Sequence, residues 1–111
     1  MKTVFHLSSS DKSKHGEVIG NIQNLIEDET VETEEIAVLM NAEGISMALE
    51  DSEAAEHIQD LPEKVKFYLC SNSVENMGGE EEDFIDRAEL VSSGVGKLTE
   101  LQDEGYSYIR P

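Results

Sequence analysis

Five short blocks of apolar residues, mostly β-branched or aromatic, most constrain the fold of this 111-residue chain. The clearest block, Ile36–Met40, is apolar at every position, which is typical of a strand covered on both faces. The blocks are Thr3–Leu7, Ile36–Met40, Val65–Cys70, Glu89–Val91 and Tyr106–Ile109. They predict five strands, with Cys70 at the carboxyl end of the third.

Helical patterns lie between these blocks. The first has apolar residues at the spacing of one helix face: Val18, Ile19, Ile22, Leu25 and Ile26. A second apolar stripe, Val95, Leu98 and Leu101, follows Ser92-Ser93 and ends at Gly105, a residue suited to the left-handed position after a helix. These two patterns predict the clearest helices of the chain.

The middle of the chain has weaker helical patterns. Ile45–Leu49 and Ala54–Leu61 indicate two short helices or one broken helix, stopped by Pro62. Val74 and Met77 indicate a short helix after Cys70, and the four methionines are expected in the core. The acidic stretches Glu27–Glu35 and Glu80–Asp83 are expected to be solvated turns, the second held in place by Phe84 and Ile85.

Strands that alternate with helices predict βαβ units and a parallel sheet. We therefore expect a single α/β domain over residues 1–111, with a mostly parallel five-stranded sheet between two helical layers. The sequence shows no internal repeat and no linker.

The charge excludes two classes of partner. With 25 acidic and 8 basic residues, the net charge is −17, which argues against nucleic acids and anionic membranes because both require a basic surface. The acids are spread along the chain, which favours adaptation to high salt over a docking face for a basic partner. Circular dichroism over a salt series tests this expectation, since a salt-adapted fold should loosen at low ionic strength.

The amino terminus lacks the apolar segment of a signal peptide, and no later stretch has the roughly 20 apolar residues of a membrane helix. We expect a cytoplasmic protein. A single cysteine cannot form an internal disulfide, which agrees with a reducing compartment.

The carboxyl ends of parallel strands are where open α/β sheets bind ligands. The predicted strand ends carry the residues His6, Asn41, Cys70, Ser71, Asn72 and Gly94. Cys70 would open a helix, where unpaired N–H groups favour the thiolate, and His6 could act as its base or positive partner. Each also has a structural interpretation, because buried cysteines often only fill space and Asn or His often caps a strand end.

Other site chemistries find little support in the sequence. The three histidines show no short ligand spacing and one cysteine cannot form a thiolate cluster, so we expect no metal site and no cofactor. Gly94 and Gly96 would let the backbone approach a ligand such as an anion or nucleotide, but Ser92–Gly96 is far from a complete phosphate-binding loop.

Three segments together resemble the DsrE/DsrF-like family, in its short, stand-alone branch: Val65–Ser73, Val91–Val95 and Leu98–Pro111. The carboxyl-terminal LQDEGYSYIRP is the most specific part. The resemblance implies a three-layer α/β/α fold and assembly into dimers, trimers or larger rings. It also implies sulfur transfer, since relatives hold sulfane sulfur as a persulfide on a cysteine after the third strand, a position that Cys70 matches.

The leading hypothesis is thus a sulfur carrier or sulfurtransferase-like protein with Cys70 as acceptor, His6 as activator, and donor and acceptor proteins as partners. Two alternatives stay open at this stage. One is a non-catalytic module that binds a small anion or nucleotide at the strand ends, through Asn41, Ser71, Asn72 and Gly94. The other is a structural homo-oligomer whose cysteine is inert.

Overall fold

The structure, a computed structural model, describes residues 1–111 and is built on one five-stranded sheet. The strands are β1 (Lys2–Leu7), β2 (Glu35–Met40), β3 (Val65–Cys70), β4 (Ala88–Val91) and β5 (Tyr106–Ile109). Every neighbouring pair is parallel, in the order β4-β3-β2-β1-β5. The predicted α/β fold is confirmed, and the sheet is wholly parallel.

Four α-helices and two 3-10 helices connect the strands. They are α1 (Lys12–Glu27), the 3-10 helix Ala42–Ala48, α2 (Ala55–Asp60), α3 (Ser71–Asn76), the 3-10 helix Glu81–Asp83 and α4 (Gly94–Asp103). The carboxylate of Asp11 caps α1 by accepting the N–H of Ser13, and the hydroxyl of Ser93 caps α4 by accepting the N–H of Gly96. None of the helices has both the length and the apolar character needed to cross a bilayer.

The two faces of the sheet are covered unequally. Strands β1 to β4 lie side by side in chain order across the sheet. The chain then returns through α4 to the other edge, where β5 pairs with β1. Because crossovers between parallel strands are right-handed, this reversal places α4 on the opposite face from α1. One face of the sheet packs into a cluster of 21 buried residues, which includes the inward side of α1, and is called the large-core face below. The other, the α4 face, has a cluster of six: Val4, Ala37, Leu39, Leu98, Leu101 and Tyr106.

The weak middle patterns correspond to real but short elements. Ile45–Leu49 falls largely within the 3-10 helix Ala42–Ala48, and Ala54–Leu61 contains α2, which ends before Pro62. The acidic stretch Glu80–Asp83 forms one 3-10 turn, and the neighbouring Phe84 and Ile85 are buried as predicted.

Three side chains that the sequence predicts to be buried are exposed in the structure: Val95, Met77 and Met1. Val95 is 68% exposed, because the inward face of α4 is formed by Gly94, Leu98 and Leu101, and Val95 lies off that face. Met77 is 55% exposed, because α3 ends at Asn76 and only Val74 keeps an inward position. Met40 and Met47 are fully buried, whereas Met1 is exposed.

Candidate functional site

Cys70 is the last residue of β3 and directly precedes α3. It pairs with Val91 at the end of β4 and follows Tyr68 on the α4 face, since alternate residues of a strand share a face. The residue is 6% exposed and forms no disulfide. The thiol is therefore recessed at the carboxyl edge of the sheet.

The surroundings of Cys70 favour its thiolate. Burial by itself raises the pKa of this thiol, but hydrogen bonds from the hydroxyl and N–H of Ser73 and from the N–H groups of Gly94 and Asn72 lower it. The hydrogen bonds outweigh the burial, so the pKa of Cys70 lies below that of an ordinary thiol. A larger thiolate fraction at neutral pH makes the sulfur a better nucleophile.

The hydroxyl of Ser73 has a fixed direction. Its oxygen accepts the N–H of Ala42 at 2.8 Å, which leaves its hydrogen free for Cys70. Ala42 has a φ of 48°, a left-handed conformation that costs a non-glycine residue about 1 kcal/mol. Strain of this kind concentrates at functional sites. Here the strained residue, Ala42, directs its N–H to the hydroxyl of Ser73, which lies next to the thiol.

Gly94 brings α4 into direct contact with Cys70. A Cβ atom at this position would lie 3.3 Å from the sulfur, 3.2 Å from the Cβ of Cys70 and 3.3 Å from the Cβ of Asn41. These distances are shorter than ordinary van der Waals contacts, so a side chain at position 94 would force its neighbours apart. The absence of a side chain lets the Gly94 N–H reach the sulfur.

His6, Asn41 and Tyr108 form a hydrogen-bonded chain beside this contact. The Nε2 of His6 lies 2.9 Å from Oδ1 of Asn41, and Nδ1 lies 2.5 Å from the hydroxyl of Tyr108. An amide oxygen only accepts, so Nε2 carries the hydrogen, and Nδ1 accepts from Tyr108. The network connects β1, β5 and the end of β2.

His6 is not a neighbour of Cys70. Strand β2 separates β1 from β3: His6 lies opposite Leu39, and Leu39 lies opposite Tyr68. No hydrogen bond joins His6 to the thiol, and direct contact between the two would have required β1 and β3 to be adjacent, which they are not. Any influence of His6 on Cys70 has to pass through Asn41, which lies beside both Gly94 and His6.

The remaining predicted residues lie nearby in different roles. Ser71 begins α3 and is half-buried, whereas the Asn72 side chain is exposed and only its N–H bonds to Cys70. At the end of β1, Arg110 donates to the hydroxyl of Ser8 at 3.1 Å. No group of three or more His, Cys, Asp or Glu side chains is arranged to hold a metal ion.

The sequence places Ser73 at the end of the third strand but assigns no role to Ser73 or Tyr108. The signal for Ser73 is its position three residues after the N-cap of α3, where a hydroxyl commonly returns toward the start of the helix. Tyr108 is on a predicted strand, but its contact with His6 requires knowing that β5 lies beside β1. No local pattern gives that strand order.

Comparisons with known proteins fit this geometry. The family model described as the DsrE/DsrF-like family matches residues 1–111. The chain belongs to the DsrE/DsrF-like family. This family is linked in general to sulfur relay.

A solved structure of a DsrE-like protein from Methanobacterium thermoautotrophicum is similar to this chain throughout. It is 33% identical in sequence with a TM-score of 0.89, and the match covers 99% of this chain and 98% of that one. That structure is described as a protein of unknown function. Curated proteins gave no match.

Proposed function

We propose that this DsrE/DsrF-like protein carries sulfane sulfur as a persulfide on Cys70. The observation that supports the proposal most is the setting of the sulfur: α4 approaches it directly at Gly94, and the Ser73 hydroxyl together with the N–H groups of Ser73, Gly94 and Asn72 lowers the pKa of Cys70. Such donors stabilise negative charge on a thiolate and equally on the terminal sulfur of a nearby persulfide anion.

The chemistry needs one cysteine and no redox cofactor. The Cys70 thiolate attacks the sulfane sulfur of a donor R–S–S⁻, the new bond joins Cys70 to that sulfur, and R–S⁻ leaves with the electron pair of the broken bond. An acceptor thiolate then attacks the outer sulfur and releases Cys70 as thiolate. Because the chain has no second cysteine, no resolving thiol within it can convert the persulfide into a disulfide.

The depth of the thiol favours a small donor. Cys70 is 6% exposed, and α4 approaches it directly at Gly94. A compact donor such as inorganic polysulfide meets less steric resistance here than a protein surface does. In this proposal a small sulfane donor loads the protein. The setting is a reducing cytoplasm, and the protein assembles as a homo-oligomer.

Intact-mass measurement tests the proposal. Protein incubated with inorganic polysulfide should gain the mass of one sulfur atom, and the adduct should disappear after treatment with dithiothreitol or a small acceptor thiol. The Cys70→Ser variant is the matched control, since it keeps a similar volume and cannot form the persulfide.

The same experiment separates the alternatives. If folded wild-type protein gains no sulfur, the carrier proposal is wrong. Thermal stabilisation by nucleotides or phosphate that persists in Cys70→Ser would instead favour an anion-binding module. Light scattering combined with size-exclusion chromatography measures the oligomeric state of both proteins, and a stable assembly with an unreactive thiol would favour a structural role.

A further inference from the structure

A cavity lies on the large-core face, separate from Cys70. It has a volume of about 600 Å³ and is formed between α1 and the segment that runs from Ser46 to His57. Gly16 and Gly20, one turn apart on α1, line it, and a Cβ atom at either position would meet nothing within 4 Å. The absence of two side chains therefore opens the cavity along the helix.

The hydroxyl groups in this cavity offer only acceptors. Ser46 donates to the carbonyl of Glu43 at 2.9 Å, and Ser52 donates to the carbonyl of Met47 at 2.7 Å. Ser10 donates to the carboxylate of Glu43 at 3.5 Å. Each hydroxyl hydrogen is already used, so the oxygens present lone pairs to whatever enters.

His15 adds a further acceptor that is almost buried. The residue is 8% exposed, and its Nε2 donates to the carbonyl of Ser9 at 2.7 Å. In the neutral ring Nδ1 is then an acceptor, and it makes no hydrogen bond within the chain. Oγ1 of Thr33 is the only fully buried side-chain polar atom that lacks a partner. Nδ1 of His15 also lacks a partner, so it is not fully buried and keeps some accessible surface. His15 is among the residues that line this cavity.

The charge of the lining is negative. Lys12 and Glu53 pair across the rim at 3.2 Å, whereas Asp51 forms no ion pair. Ile19, Leu49 and Ala54 supply an apolar part of the wall. Acceptors, an unpaired carboxylate and an apolar wall are thus combined in one cavity, and the lining side chains that keep free N–H donors are Lys12, Gln23 and His57.

We propose that this cavity binds a small organic cation with several N–H donors and a short alkyl chain, such as an alkylguanidinium. The N–H groups pair with Asp51, the serine oxygens and Nδ1 of His15, and the methylene groups lie against Ile19 and Leu49. Such a ligand complements the serine oxygens, Nδ1 of His15 and the Asp51 carboxylate of this lining. The site is independent of the sulfur chemistry at Cys70.

A titration with two matched monocations tests recognition by N–H donors. Butylguanidinium should cause saturable amide shifts in α1 and residues 46–57 by nuclear magnetic resonance, with a dissociation constant on the order of 1 mM. Butyltrimethylammonium carries the same charge but no N–H donor, so it should bind at least about tenfold more weakly. Equal shifts from both cations, or no saturation at physiological salt, would overturn the proposal.

Variants of the lining separate the cavity from the general negative charge of the protein. Gly20→Leu keeps the net charge, places a side chain in the open space and improves helix propensity, so it should fold and lose binding by at least about tenfold. Asp51→Asn should weaken binding about fivefold, whereas Asp103→Asn on α4 removes the same charge elsewhere and should change it less than about twofold.

Two further outcomes would contradict the proposal. Unchanged binding by folded Gly20→Leu would show that the cation binds elsewhere. A change of oligomeric mass in Gly20→Leu would show that a second copy of the chain occupies the groove. Binding of butylguanidinium to Cys70→Ser should equal that of the wild type, so failure of the sulfur-carrier proposal leaves this test intact.

Discussion

The two faces of the sheet differ in how many side chains they bury. The large-core face buries 21 residues under α1, α2 and the 3-10 helices, whereas the α4 face buries six under a single ten-residue helix. The α4 face also carries polar groups, such as Lys97 above the ring of Tyr68 and the Tyr106 hydroxyl bonded to Glu35. Cys70, the residue of the proposed sulfur site, lies on the thinly covered α4 face, where Gly94 of α4 contacts it.

The largest expected effect comes from truncation on the large-core face. Phe67 is 1% exposed within the 21-residue cluster, so Phe67→Ala should lower the free energy of unfolding by about 4 kcal/mol through lost burial and a cavity. Urea denaturation followed by circular dichroism measures this loss in the free energy of unfolding. A loss below about 2 kcal/mol would show that this face is not the main source of stability.

The same truncation on the α4 face should cost less. Leu98 is 7% exposed in a cluster of six, and α4 can shift to fill part of the space, so Leu98→Ala should cost about 2 kcal/mol. The same denaturation experiment applies. If Leu98→Ala destabilises as much as Phe67→Ala, the division between the faces is wrong.

A methyl group at Gly94 should affect both stability and chemistry. Gly94→Ala forces Cys70 and Asn41 apart, which should cost about 1–2 kcal/mol and reduce alkylation of the thiol by iodoacetamide. Gly16→Ala is the control, because its Cβ meets nothing and alanine favours a helix. If Gly94→Ala and Gly16→Ala have the same stability and the same alkylation rate, the contact at Gly94 does not constrain the position of Cys70.

Much of the fold and part of the site followed from the sequence. The apolar blocks gave the strands nearly to the residue, and the rule that parallel strands present their carboxyl ends at one edge brought Cys70, Asn41 and Gly94 together. Strand order has no local signal, which is why His6 was assigned to the thiol instead of to Tyr108. The donor role of Ser73 depends on the left-handed backbone of Ala42, and alanine gives no sequence cue for that conformation.

Removal of the Ser73 hydroxyl should change the thiol rather than the fold. Ser73→Ala raises the pKa of Cys70, so the pH profile of iodoacetamide alkylation should move to higher pH and the rate at neutral pH should fall about fivefold. Ser71→Ala is the matched control beside it, and an identical profile for both variants would contradict the assigned role of Ser73.

The lowered pKa of Cys70 also has a consequence for stability. Because the folded pKa lies below the unfolded one, ionisation stabilises the fold above the unfolded pKa, and this contribution is lost as the pH falls through the folded pKa. The free energy of unfolding of the wild type relative to Cys70→Ser should therefore rise with pH across that interval. Chemical denaturation at a series of pH values measures the difference.

The smallest expected effect concerns the hydrogen-bonded chain at β1 and β5. Tyr108 is 42% exposed, so Tyr108→Phe should cost only about 0.5 kcal/mol. The loss of its donor should change the nitrogen chemical shifts of the His6 ring, with little effect on the amide signals of α1. Unchanged His6 shifts would remove Tyr108 from the network.

The contact between His6 and Tyr108 joins residues 102 positions apart. Pairings of such long sequence separation carry a high loop-closure cost and form slowly in folding. The large-core face, whose strands follow one another along the chain, can condense before β5 arrives. Before β5 pairs with β1, most of the core can already be formed, but the ring of His6 lacks its hydrogen bond with Tyr108. Formation of that hydrogen bond would then be among the last steps of folding.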